Sequence, residues 1–487
     1  MVKILTWIEQ IMDYIARYTL MILFSIMFVV GLVIKAMYNF NDSPYFEFTT
    51  IYDIFAFVVV FGLLLGIYKN REWIQNHINY KACLLLFAIA SGIFIWQVPL
   101  KPFSDMRAVY EGAINFAKFD WVGMLSDDYW NIFPGNMVLT VFWGILIIPF
   151  PKTLVMFKVL NAAMLYLIIA LTREIAREYK VKYYNIVYIL MLTFSPLFLY
   201  INMVYFDIPL IFFCVLGLYV YKKHKKLVLS FAIIAIACFL RKSGKIFLIA
   251  MIILYLFDNK EMWKTKEWIK RVGILLVSLA VYSVIYEGSL DIVRDNFITG
   301  KFKAYPSWNM YYMGINEEEF GFQDNNFSYD RTAQDVINRV VEYGPVRLTK
   351  ILTKKTFWLW TQGTYQAQRY AFGPDMINAL DKFEYETFTT KYLMQDTQIT
   401  RKAINAFMRA QYYAMFGLMI LTMYKKKNTE RFRIFYYIII ATFLAMLIYE
   451  LKSRYILHLV PLMVIMAGDY FEILDYKQQK SDVVNEV

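Results

Sequence analysis

The chain has 487 residues, of which 59% are hydrophobic, 19% aromatic and only 18% charged; 51 basic against 39 acidic side chains give a formal net charge of +12. The apolar residues fall in long runs parted by Lys/Arg-rich gaps. A soluble globule of this size would need far more polar surface, so the composition implies an integral membrane protein. The basic excess lies mostly in the gaps, where it sets orientation and meets anionic lipid, which argues against a nucleic-acid partner.

In chain order, Met1 to Arg17 is amphipathic, and the first apolar run is long enough to remain as an anchor, so no cleavable signal peptide is expected. Spans are expected at about 18–37, 51–68, 82–97, 154–172, 184–203, 208–221, 227–240, 245–257, 272–286, 411–424, 434–449 and 455–472. Each approaches the roughly 20 residues that a bilayer core requires. The expected fold class is an all-α polytopic membrane protein of about twelve transmembrane helices. Basic clusters at Lys69 and Arg71, Arg173 to Lys182, Lys222 to Lys226, Lys260 to Arg271 and Lys425 to Arg433 would face the cytoplasm, with both termini inside. That topology requires Met137 to Phe150, bounded by Pro149 and Pro151, to be a re-entrant or interfacial helix that does not cross.

Two large segments then lie outside, 98–153 and roughly 287–410. The second is the one long stretch of soluble composition, and a segment of that length carries function or a fold of its own. Arg331 to Tyr343 has helical spacing and Gly344-Pro345 stops it; Val346 to Trp360 resumes helical spacing and reads as a helix on the outer membrane surface, with Lys350, Lys354 and Lys355 toward headgroups. The polar tail 477–487 reads as disordered. Cys83, Cys214 and Cys238 all fall in spans, as packing residues.

Charged groups at the outer face are the candidates for chemistry. Asp105, in Lys-Pro-Phe-Ser-Asp-Met-Arg, and the pair Asp127 and Asp128 supply carboxylates in the first outer loop, and Asp207 follows Ser195-Pro196 further on. Arg241, Lys242 and Lys245 form a basic turn that the topology places outside, against the charge rule, and Lys452 and Arg454 do the same. Cations out of place near the outer leaflet point to an anionic ligand. Each group also has a plainer explanation. Asp105 and Asp207 stand where helix caps stand, Asp127 and Asp128 suit a solvated loop, and the cations suit snorkelling anchors, Arg454 with Glu450 as a partner. Trp308, Tyr311 and Tyr312 suit an interfacial belt, and His458 suits core packing.

The order Ser104-Asp105 with Tyr110, then Tyr129-Trp130 with Phe133-Pro134-Gly135-Asn136, then Ser195-Pro196 with Asp207, Arg241-Lys242, Arg454-Tyr455 and Pro461 resembles the GT-C superfamily of membrane glycosyltransferases. The likeness is nearest to the bacterial branch related to protein O-mannosyltransferases (family 39-like) and the aminoarabinose transferase of lipid A. It covers about residues 80–475, so 1–80 would be an additional two-helix segment. The resemblance implies a transmembrane module over 81–286 with a catalytic first outer loop at 98–153, an extracytoplasmic loop domain at 287–410, C-terminal transmembrane helices at 411–476 and a cytoplasmic tail at 477–487.

The resemblance further implies an inverting transfer of sugar from a polyprenyl-phosphate donor to a cell-envelope glycan, lipid or protein, at the outer face of a bacterial plasma membrane. Asp105 would be the catalytic carboxylate and Asp207 a second acidic position. Arg241, Lys242 and Arg454 would hold the donor phosphate, with Tyr455, Asp128, Tyr129 and Trp308 beside the substrates. No cofactor is fixed: Met106 stands where many relatives carry a second polar or acidic residue, which weakens the case for a divalent cation without closing it. The rival reading from another class is a transporter or flippase of lipid-linked sugars, which calls for charged pairs within the spans. A partner subunit without activity would not need Asp105, Arg241 and Arg454 to converge.

Overall fold

The computed structural model describes residues 2–38, 43–125, 129–258, 305–322, 328–373, 379–393, 399–425 and 430–485, with a few more between 269 and 288. The chain is overwhelmingly helical. Among the described residues, five helices are long and apolar enough to cross a membrane: Lys3–Val33, Ile51–Lys69, Tyr80–Gln97, Leu154–Glu178 and Ser453–Asp475. A sixth span forms if Tyr184–Leu192 and Ser195–Asn202 are taken together across a 49° bend. The bend falls where Pro196, at the start of the second half, has no N–H to continue the ladder.

These helices differ in what they face. Only 17% of the apolar windows of Ile51–Lys69 and Tyr80–Gln97 is buried, so both present apolar side chains outward nearly all round, which only lipid can solvate. Ser453–Asp475 is 89% buried and forms the centre of the bundle. It packs on Ile399–Lys425 and on the bent pair. Several expected spans are short helices: Leu227–Leu240, Gly244–Asp258 and Arg433–Ile448 run to 14, 15 and 16 residues, and Asp207–Tyr219, of 13, is extended only by a π-helical turn, Val220–His224. At about 1.5 Å per residue they fall short of a hydrocarbon core of about 30 Å. The expected span at 272–286 lies largely outside the described residues.

Four features differ from the sequence reading. The first helix, Val2–Val33, ends before residue 37, and the chain turns into a hairpin of β1 (Ile34–Tyr38) and β2 (Pro44–Phe48), paired antiparallel from Ile34↔Phe48 to Tyr38↔Pro44. The two strands satisfy each other's backbone groups, which frees this stretch from the helix. The helix expected on the membrane surface belongs to Ala333–Thr361, two helices joined at Gly344 (φ 62°, ψ 174°). Lys350 and Lys354 are exposed, but Lys355 is buried, as are Trp358, Leu359 and Trp360. Helix Ile399–Lys425 runs straight through the expected boundary at 410. Residues 477–485 continue the last helix instead of forming a disordered tail, in keeping with the Lys and Gln residues at 477–480.

Met137–Ile147 has 11 residues and packs along the helix Asp105–Ala117. Gly144 makes that crossing possible, since a Cβ there would meet the Phe116 ring at 2.5 Å. Cys83, Cys214 and Cys238 are free thiols, the last two buried.

Candidate active site

Asp105 opens a helix whose inner face is Met106, Val109, Gly112, Ala113 and Ala117, all buried at helical spacing, while Arg107 and Glu111 pair at 2.8 Å on the outer face. The approach to this helix is tied down along its length. Leu100 bridges Phe383, Lys101 N donates to Lys382 O at 2.8 Å, and Glu384 N donates to Pro99 O at 2.9 Å. From beneath, Lys158 Nζ donates to Leu100 O at 2.9 Å and Asn202 Nδ2 to Val98 O at 3.0 Å. Ser104, at the helix cap, has φ 50° and ψ −138°, a strained backbone for a residue with a side chain, and its hydroxyl caps nothing. The cap reading therefore does not account for Ser104-Asp105.

Asp105 accepts instead from Tyr205, whose hydroxyl lies 3.2 Å from Oδ2. Tyr129 also hydrogen-bonds Asp105, and Asn136 Nδ2 donates to the hydroxyls of both tyrosines, to Tyr205 at 3.2 Å. Burial, and then the charge of Asp105, push both phenols up, so each stays protonated and donates to the carboxylate. A hydrogen-bonded carboxylate held in one rotamer suits a general base.

Asp105 lines a cavity of about 1400 Å³ together with Arg241, Arg454, Tyr455, Lys452 and Glu450. Five of the residues singled out in the sequence, Asp105, Arg241, Lys452, Arg454 and Tyr455, thus share one chamber. The Arg241 guanidinium sits 4.0 Å from the centre of the Phe206 ring and 4.5 Å from that of Tyr455; Arg454 lies 4.7 Å from the Tyr370 ring. Aromatic ring faces hold both guanidiniums in place. Arg454 Nε is buried and has no hydrogen-bond acceptor among the described residues, a donor left for a ligand or water.

A second cavity of about 610 Å³ shares Phe133, Asn136, Arg241, Met310, Tyr449 and Tyr455 with the first. Its remaining walls include Phe239, Leu240, Ile246, Ala445, Met446 and Ile448, which are apolar.

The other candidates lie elsewhere. Asp207 does not line the chamber; it is buried behind Arg454 at 3.8 Å, and it is Asp207, not Glu450, that pairs with this arginine. Glu450 takes Lys452 at 3.7 Å and the Tyr455 hydroxyl at 2.7 Å. Lys242 belongs to the second cavity, with Nζ 3.2 Å from Ser307 Oγ. Trp308 is 44% exposed, rests on Tyr311 and lines neither cavity. Tyr311 faces the second cavity, and Tyr312 lies under Arg331 and Arg339. Asp127 and Asp128 are outside the described residues. His458 is buried with Nε2 3.3 Å from Thr442 Oγ1.

The chamber also holds residues that the sequence did not single out, among them Tyr205, Glu317, Glu319, Arg339, Arg369 and Tyr370. Tyr205 stands two residues before Asp207, and that nearness was the one local signal. Among the described residues, no group of three or more His, Cys, Asp or Glu side chains is spaced to hold a metal ion. Comparison with known proteins finds no matching family model, no matching curated protein and no matching solved structure.

Proposed function

We propose that this chain is an inverting glycosyltransferase of GT-C type that moves a sugar from a polyprenyl-phosphate donor to a cell-envelope acceptor at the outer face of the plasma membrane. The observation that carries the reading is the meeting of Asp105 with Arg241 and Arg454, from three distant parts of the sequence, in one chamber. A partner subunit without activity would have no need of it.

In this reading Asp105, held by Tyr205 and Tyr129, takes the proton of the acceptor hydroxyl. The hydroxyl oxygen attacks the anomeric carbon in line, and the bond from that carbon to the phosphate oxygen breaks with inversion. The electron pair leaves on the polyprenyl phosphate, where Arg241 and Arg454 stabilise the growing charge. Asp207 acts through Arg454, orienting its guanidinium, so its role shifts from catalysis to positioning. The apolar second cavity suits the first prenyl units of the donor, with Lys242 at the rim. The arrangement of about twelve spans, with the chamber outside, is part of the proposal.

The test is transfer by the purified protein in lipid, from a panel of radiolabelled polyprenyl-phosphate sugars to envelope fractions freed of nucleotide sugars. Label moving to the acceptor fraction supports the reading. Donor binding without transfer, joined to movement of donor between leaflets, would replace it with translocation.

A further inference from the structure

The first two long helices lie outside the region that carries the resemblance, yet the hairpin between them reaches the chamber. Ser43 is part of the chamber wall, and its hydroxyl donates to Glu319 Oε1 at 2.5 Å. Next to it, Phe46 stacks on Phe320 with ring centres 5.7 Å apart and planes 12° from parallel. The hairpin is itself fastened inward: Lys35 pairs with Glu47 at 2.7 Å and with Asp53 at 3.1 Å, and Asp53 takes Arg409 at 2.6 Å. Trp358 then donates to Met37 O at 2.7 Å.

The turn that the hairpin grips leads directly to the cations. Gly321 O accepts from Leu451 N at 2.6 Å, and the Lys452 ammonium sits 4.3 Å from the centre of the Phe322 ring. Gly321 has φ +91° and lies so close that a Cβ would meet Gly314 O at 2.5 Å, so this turn has one backbone path. Lys355, buried beneath, donates to both Gly314 O and Tyr449 O and joins the turn to the chain leading into Glu450. Contacts therefore run without a gap from Phe46 and Ser43, through 319–322, to Leu451 and to Lys452, which stands two residues before Arg454.

We infer that the N-terminal hairpin is a positioning element of the anion site: Ser43 and Phe46 hold the turn around Glu319 and Phe320, and that turn sets Lys452 and Arg454 toward the donor phosphate. The inference rests on the proposed reading of Arg454 as a phosphate ligand. A hairpin that only joined Val2–Val33 to the lipid-facing Ile51–Lys69 would have no reason to put Ser43 in the chamber wall or to cover Phe320.

Binding of farnesyl phosphate and of farnesol to the full chain in nanodiscs, by titration calorimetry, tests the inference. The difference between the two probes reports the phosphate site and not the tail groove. The wild type should prefer the phosphate, and Phe46→Ala should weaken farnesyl phosphate roughly three- to tenfold, the worth of an aromatic pair, while leaving farnesol unchanged. Phe46→Tyr should restore the preference. Equal loss of both probes in Phe46→Ala, or no loss of either, overturns the inference. If Arg454→Ala removes the preference and Phe46→Ala keeps it, the positioning role falls and the donor reading stands. A wild type without preference for the phosphate sinks both.

Discussion

At the scale of single residues, Asp105 is defined by its neighbours. Two phenols, themselves held by the Asn136 amide, fix the carboxylate, and one of them, that of Tyr205, belongs to a residue a hundred positions away. A hydrogen bond to a charged group contributes about 1.5–3 kcal/mol. Tyr205→Phe should therefore lower the transfer rate by roughly one to two orders of magnitude, with donor affinity retained, as a comparison of kcat and KM would show. Arg454→Ala should act on the other quantity, weakening donor binding, and it leaves Asp207 buried without its partner. The sequence made Asp105, Arg241 and Arg454 legible because cations and carboxylates out of their usual place stand out in an apolar chain. It paired Arg454 with nearby Glu450, since a partner as distant as Asp207 leaves no mark on local spacing.

At the scale of elements, the helix ending in Trp358 and Trp360 shows what a charged residue on an apolar face can hide. Lys350, Lys354 and Lys355 all read from sequence as facing headgroups, yet Lys355 stands about 100° further round the helix than Lys354, on the face of Ile351 and Trp358. The structure solvates the first two and buries the third between the carbonyls of Gly314 and Tyr449. Burial brings the Lys355 ammonium down from 10.5 to about 7, although the charge of Glu450 works the other way. Between those values the unfolded chain holds a proton that the folded one has released, so this lysine makes stability rise with pH from about 7 toward 10.5. Below about 7 both states are charged and its contribution is flat. Thermal unfolding in detergent should show that rise in the wild type and lose it in Lys355→Met; an unchanged slope would mean that the lysine is charged when folded. The hairpin was illegible for a related reason. Ile34 to Tyr38 continues an apolar run, and only its pairing with Pro44–Phe48 distinguishes strand from helix.

At the scale of the whole molecule, composition made the membrane class plain, and the long apolar helices agree with it. The span count was less legible, because helices of 13 to 16 residues around the chamber do not separate crossing from re-entrant paths by length. Orientation is open to direct measurement. In a background with the three native cysteines replaced, Trp308→Cys should react with an impermeant maleimide added to intact cells, and Lys69→Cys only after the membrane is opened. The reverse pattern would turn the chamber toward the cytoplasm and exclude an outer-face enzyme.

The most direct test of the central claim sets wild type beside Asp105→Asn, both purified in nanodiscs, and follows donor binding and sugar transfer in the same samples. The account predicts equal donor binding and a loss of transfer of at least about a hundredfold in the variant, as expected when a general base is removed. Transfer at the wild-type rate by Asp105→Asn would contradict it.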